Sequence, residues 1–459
     1  MNEQASNAEM PRVAIVGSGV SGLGAAWRLA PHARVTVFEQ DSWIGGHANT
    51  REVTEHDRSR PIDTGFIVHN HRTYPHMCAL FDELGVTTHV TEMSLSVSCA
   101  ECGLEYAGRR PWSLLAGVLR RPRLLPLLLE IARFTRTGHA HLEAGIPAVW
   151  TLDDYVRMHG YGSSFRNHYL IPLTAAVWSV PPGQALQMPA ASILEFLANH
   201  GLINRADGPL EWYAIEGGSR EYVRRMIDGL RKLGTEVHTS AAISRIDRDD
   251  YGVVLHTSTG PQRFDWVVIA AHADQAYQLL AAPSELETEL LSPWKYTTNE
   301  AVLHTDASVL PSHKVAWGSW NYALPGCTPD SGPPTMTYYM NRLHAMRDAP
   351  HDYCVTLNLA DGEIDETRSR YAVTYAHPRY DLDSLASQQR LGELRSRDVA
   401  RASHTLFCGA YHGHGFHEDG LRSGLEAGER LLELLDAAPH TTQLEHIPAS
   451  KAVATEIGS

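Results

Sequence analysis

The most specific chemistry in this sequence belongs to three glycines and one acid. Arg12 to Val16 is a short apolar run with strand character, leading straight into Gly17-Ser18-Gly19-Val20-Ser21-Gly22. A helical pattern with Ala25, Ala26 and Leu29 follows, then a second run from Arg34 ending at Glu39, 22 residues after the first glycine. Strand, glycine turn, helix and strand in this order build a phosphate cradle. Gly17 permits the tight turn, Gly19 lets backbone approach a pyrophosphate, and Gly22 lets helix and strand pack closely. The helix N-terminus offers N–H donors and the positive end of its dipole, while Glu39 accepts from a ribose hydroxyl. The glycines alone would read as an ordinary turn. Their flanks and the placement of the acid make the stretch a dinucleotide site.

Two other clusters invite a chemical reading. Tyr411-His412-Gly413-His414-Gly415-Phe416-His417 holds three histidines, but a metal would need a regular element to aim the rings. A glycine-rich turn opening a helix explains the segment without one, so no metal is expected. His417 is either a group beside the bound cofactor or a hydrogen-bonded structural histidine. Cys99-Ala-Glu-Cys102 has redox or zinc spacing, yet no second pair follows, and Leu95 and Val97 suggest a strand rather than a thioredoxin-like helix start. An ordinary structural role is expected there. No nucleophile elbow is present, which disfavours a hydrolase, and no residue is an evident general base.

The elements around these motifs can be read from periodicity. Gly217-Gly218 opens an amphipathic helix with Tyr222, Val223, Met226 and Leu230 on one face. Strand patterns follow at 235–238, 242–247 and 253–257, and the buried run Trp266 to Ala271 reads as plain sheet core. Thr405 to Ala410 is a strand ending in glycine, after which a helix begins near His417 and runs through Leu425, Leu431, Leu432 and Leu435.

With 459 residues, 43% hydrophobic and 20% charged, the chain is an ordinary globular protein of two or three domains. Its net charge of −14 argues against a nucleic-acid binder. Six cysteines are too few for a disulfide scaffold, and the polar first ten residues lack a signal-like apolar stretch; a reducing cytosol is expected. No apolar run is long enough to span a membrane. One segment departs from the acidic average: residues 103–139 carry seven arginines against Glu105 and Glu130. Within it, 109–136 mixes Trp112, many leucines and paired arginines, with Pro122 and Pro126 breaking it into short helices. It either lies in a membrane interface, arginines toward anionic headgroups, or covers a second domain.

Gly45-Gly46-His47, followed by Asn49-Thr50 and Asp63-Thr64-Gly65, adds a resemblance. The first 80 residues resemble the flavin-containing amine oxidase superfamily, which includes protoporphyrinogen oxidase and carotenoid desaturases. Longer stretches at 45–50, 63–68, 175–179, 217–223 and 415–424 resemble bacterial FAD-dependent oxidoreductases associated with cyclopropane-type fatty-acid synthases. The resemblance implies FAD and an α/β fold: a discontinuous FAD-binding Rossmann-like domain with an inserted α+β substrate domain. The FAD-binding pieces would be 10–90, 210–275 and 400–436, the substrate domain 91–209 and 276–399, and 437–459 a disordered tail.

The resemblance also implies cofactor contacts. These are Gly17, Ser18, Gly19, Gly22 and Glu39; Gly45, Gly46 and His47, the last standing where the superfamily has Arg; Thr64 and Gly65; and Val237, whose backbone would touch adenine. Gly409, Asp419, Gly420, Leu421 and Ser423 would form the second flavin contact, with Ala410 in place of the usual acid and Glu418 or Asp419 taking the ribityl contacts. Aromatic residues of the inserted segments suit an apolar pocket; Trp178 is expected as a pocket wall, with Tyr411 and His417 near the reacting centre. The implied function is oxidation or desaturation of an apolar substrate, above all a fatty-acyl chain of a membrane lipid. An amine oxidase and a lipid-binding flavoprotein with structural FAD are the alternatives.

Overall fold

The computed structural model describes residues 10–55, 58–108, 114, 117–119, 121–122, 124–203 and 210–435. The segment 437–459, and parts of the basic stretch, therefore lie outside the described residues. The fold is α/β and has the Rossmann-like form expected.

Five parallel strands form the nucleotide sheet, in the order Glu236–His238, Arg34–Phe38, Arg12–Val16, Trp266–Ile269, Thr405–Phe407. Val13, Ala14 and Ile15 are fully buried because helices or loops cover both faces, which explains why these strands read as unbroken apolar runs. Helix Val20–Leu29 crosses one face, packed against the C-terminal helix His417–Leu434. Glycines set that contact: a Cβ on Gly24 would stand 2.9 Å from Leu421, and one on Gly424 would strike the Ser21 carbonyl. Helix Arg220–Lys232 buries the face formed by Tyr222, Val223, Met226 and Leu230, as its periodicity predicts.

A seven-stranded mixed sheet forms the other half, in the order Ser369–Pro378, Tyr296–His304, Cys354–Leu357, Thr335–Tyr339, Trp320–Leu324, Leu95–Cys99, Leu104–Ala107. Helices between residues 124 and 199 supply buried Phe134, Tyr155, Phe165 and Ile193 to the same core. Here one expectation is corrected. Pro126 does not break the basic segment: a single helix of 20 residues runs Leu124–Glu143, with Pro126 in its first turn. An N–H missing from the first turn has no intrahelical acceptor to lose, so proline fits there. Further on, a π-helical turn, Arg166–Leu170, leads into helix Ile171–Trp178. No described helix is long and apolar enough to cross a membrane.

Candidate functional site

The site begins where the first strand ends. Gly17 has φ +103°, and its N–H donates to the Phe38 carbonyl at 2.8 Å. A Cβ there would lie 2.6 Å from the Ala270 carbonyl oxygen, so only glycine fits the turn. Gly19 precedes helix Val20–Leu29, whose first turn has neither a side-chain cap nor an acid. A Cβ on Gly19 would meet nothing within 4 Å, so this backbone opens onto the cavity it lines. Glu39 sits at the tip of the second strand. Its Oε2 accepts from Ser18 N at 2.9 Å and Ser18 Oγ at 2.6 Å, and its Oε1 from Asp41 N at 2.9 Å. Gly45 N donates to the Ser18 carbonyl at 3.1 Å, docking the second glycine pair beside the first. An open helix end, bare glycine backbone and a carboxylate at the strand tip are the donor and acceptor set that a dinucleotide needs.

From this cradle a cavity of roughly 1720 Å³ extends between the two halves of the fold. Such a volume exceeds the several hundred Å³ typical of one small ligand, leaving room for a large cofactor and a substrate together. Its middle is ringed by histidines and tyrosines. His47 stacks on Tyr375 with ring centroids 4.6 Å apart and meets His377 at 5.3 Å. His272 stacks on Tyr296 at 4.3 Å. His417 lies flat on Phe66 at 3.9 Å, and its Nε2 shares a 2.9 Å hydrogen bond with the Tyr222 hydroxyl.

Desolvation pushes His47 well below the ordinary imidazole range, His377 down to about 4 and His417 to about 3. Each ring keeps some surface toward the cavity, but that cavity is deep, so loss of hydration governs and the rings are neutral near pH 7. The Tyr411 hydroxyl is buried and finds no hydrogen-bond partner among the described residues. Beyond this ring the wall turns apolar, with Leu128, Ile131, Tyr169, Leu173 and Phe196. Among the described residues no Lys or Arg lines any part of the cavity, and its two carboxylates, Glu39 and Asp41, are both at the nucleotide end.

Of the residues expected from sequence, Gly17, Gly19, Glu39, Gly46, His47, Gly65, Gly409, Tyr411 and His417 line this cavity. Others stand one layer behind it. Ser18 holds Glu39, Gly22 packs on the Gly17 carbonyl, and Thr64 Oγ1 donates to the Asn49 carbonyl at 2.9 Å. Ser423 Oγ accepts from Gly409 N at 2.9 Å, Leu421 packs on Gly24, and Gly420 on Val20. Val237 pairs with Val37 in the edge strand, while Ala241 and Ile243 form the wall nearby.

Trp178 is placed behind the wall rather than in it. Its Nε1 donates to the His414 carbonyl at 3.1 Å and its ring packs on Phe196 at 4.7 Å, because the last turn of its helix faces the core. The ribityl expectation for Glu418 is likewise redirected. Its carboxylate accepts from His76 N at 2.9 Å and Met77 N at 3.0 Å, capping helix Pro75–Leu84. Asp419 turns back to accept from His414 N at 3.0 Å and Phe416 N at 3.1 Å.

The cavity wall also holds residues that were not singled out by sequence, among them His272, Tyr296, Tyr375 and His377. The antiparallel pairing of Tyr296–His304 with Ser369–Pro378 assembles three of them, setting Tyr296 opposite Pro378 and Thr297 opposite His377. The alternation Tyr375-Ala376-His377 was the available signal.

Residues 20–432 match the family described as flavin containing amine oxidoreductase. The chain belongs to this family. Membership makes FAD its cofactor, which the glycine cradle and Glu39 fit. Over 276 residues the chain is 26% identical to a Mycobacterium tuberculosis protein named "Putative flavin-containing monoamine oxidase AofH", the match covering 56% of each. The chain thus spans about half the length of the curated relatives it matches. Two solved structures share this fold. Cyclohexylamine oxidase from Brevibacterium oxydans IH-35A matches at 16% identity and TM-score 0.63, over 93% of this chain and 99% of that one. The CLA-producing fatty acid isomerase from P. acnes has the same identity, TM-score and coverage.

Proposed function

We propose that this protein is an FAD-dependent oxidoreductase that oxidises or desaturates an apolar substrate, specifically a fatty-acyl chain of a membrane lipid. The observation that carries this reading is the apolar arm of the cavity, where among the described residues neither cation nor carboxylate awaits a polar headgroup. FAD, when bound, supplies the hydride acceptor. Gly17, Gly19 and Glu39 would hold its nucleotide portion. His47, His377 and His417, kept neutral by desolvation, add polar surface at the reacting centre without adding charge. Tyr169, Leu173 and Phe196 clamp the chain and exclude water.

Helix Leu124–Glu143 supports a route from the bilayer. It contributes Leu128 and Ile131 to the cavity wall while Leu125 and Leu129 point to solvent. Arg121 and Arg136 lie exposed on the same segment. We assign this stretch peripheral contact with an anionic membrane, which places the cavity beside its substrate.

An amine substrate is the second reading, favoured by family membership and by the Tyr296, Tyr375 and Tyr411 rings on the cavity. The deciding experiment compares the phospholipid fatty-acid profile of the source organism with and without the gene. A lost or accumulated acyl species supports the lipid reading and identifies the bond oxidised. An unchanged profile with the protein expressed, together with peroxide released from amines by the purified protein, overturns it in favour of the amine.

A further inference from the structure

A second cluster of reactive side chains lies outside the flavin cavity. Cys99 and Cys102, close in sequence, meet His168 and Cys327 in space, and the four ligand atoms all lie within 4.8 Å of one another. We propose that Cys99, Cys102, His168 and Cys327 bind a single zinc ion in a closed, tetrahedral site.

The distances suit one ion. Zinc–sulfur bonds of about 2.3 Å in a tetrahedron put neighbouring sulfurs about 3.8 Å apart. Cys99 Sγ and Cys327 Sγ are 3.7 Å apart, and Cys102 Sγ and His168 Nε2 are 3.8 Å apart. Thiolates with one imidazole are a soft donor set that favours zinc over calcium or magnesium. Four protein ligands leave no position for substrate, so the role is structural rather than catalytic.

The ligands come from three separated segments, and each segment is held by its neighbours. The Cys99–Cys102 turn joins strands Leu95–Cys99 and Leu104–Ala107, and it closes through Gly103 at φ +67°, whose N–H donates to the Cys99 carbonyl at 2.9 Å. Ala100 N donates to the Leu324 carbonyl at 2.9 Å, joining that turn to the strand that leads to Cys327. Cys327 N donates to Glu101 at 2.8 Å, and its carbonyl accepts from Asn167 Nδ2 at 2.8 Å. The His168 carbonyl accepts from the Tyr106 hydroxyl at 2.7 Å. Backbone of one ligand is thus fixed by side chains adjacent to another, as expected of a preorganised site.

Its consequence is positional. His168 belongs to the π-helical turn Arg166–Leu170, and the next residue, Tyr169, lines the flavin cavity. Zinc would pin this turn to the strand hairpin and hold the tyrosine in the wall. Binding releases one proton from each of the three thiols as they become thiolates.

The test is elemental analysis of the untagged, full-length flavoprotein purified without chelator. The expected result is stoichiometric zinc. Cys327→Ser should weaken zinc binding at least about 100-fold, whereas Cys78→Ser, outside the cluster, should leave the zinc content unchanged. Should the ligand variant fail to fold, cobalt(II) is added to the metal-stripped, thiol-reduced wild type. Thiolate-to-cobalt charge transfer and intense tetrahedral bands are expected. Zinc-free protein that develops no such bands overturns the proposal. So does a Cys99–Cys327 disulfide in protein purified under non-reducing conditions, or iron in place of zinc.

Discussion

Membrane contact by the basic segment can be tested by replacing Leu119, Leu125 and Leu129 together with Gln. These side chains are 74%, 50% and 64% exposed, although leucine is among the residues that gain most from burial. Full burial of a leucine is worth about 2 kcal/mol, so immersing the exposed fractions of all three recovers about 3–4 kcal/mol. At 1.4 kcal/mol per factor of ten, the triple variant should lose about 300-fold in partition onto vesicles. The assay is co-sedimentation with vesicles rich in phosphatidylglycerol, against vesicles of phosphatidylcholine alone. Raising the salt should weaken the contribution of Arg121 and Arg136, at about 1 kcal/mol each, and leave the leucine contribution in place. Wild-type protein that stays in the supernatant with anionic vesicles, or a triple variant that binds as tightly, would refute the reasoning.

Gly17→Ala should yield protein without flavin, read from the flavin-to-protein absorbance ratio, because both the +103° φ and the Ala270 carbonyl oppose a methyl group. Asp63→Ala should cost about 3 kcal/mol or more in urea denaturation. Its fully buried Oδ1 accepts from Thr50 Oγ1 at 2.6 Å, Ser219 N at 2.9 Å and Ser219 Oγ at 2.7 Å, and Asp63→Asn should recover most of the loss. Acid lability should come from the cavity histidines. Desolvation lowers His377 to about 4 and His417 to about 3, so both bind protons more readily when unfolded. The stability they contribute is complete above the unfolded value, about 6.5, and falls by up to about 1.4 kcal/mol per pH unit for each as the pH drops toward 4. A melting temperature that does not change between pH 7 and pH 5 would contradict this.

Local motifs were legible, and long-range assembly was not. The glycine turn and Glu39 could be read because the physics that places them spans fewer than 30 residues of chain. Helix Arg220–Lys232 was equally plain from its apolar spacing. Tyr375 and His377 escaped notice because only the pairing of their strand with Tyr296–His304 carries them to the cavity. Trp178 was drawn to the cavity by composition, while its indole N–H found a backbone acceptor one layer deeper. The Cys99–Cys102 spacing looked incomplete because its partners stand 66 and 225 residues beyond Cys102. Pro126 misled because its position within a helix cannot be known before the helix start is known.

The packing of helix Val20–Leu29 on helix His417–Leu434 has a consequence for how the protein is made. The helix that completes the nucleotide cradle is synthesised about 400 residues after the glycine turn. At 5–20 residues per second, the early helix waits about 20–80 seconds on the ribosome with its glycine-lined face uncovered. The first sheet also lacks its outer strand, Thr405–Phe407, during that interval. Cofactor capture is therefore among the last events of biogenesis, and chaperone occupancy should concentrate on nascent chains that have exposed residue 29 but not yet residue 434.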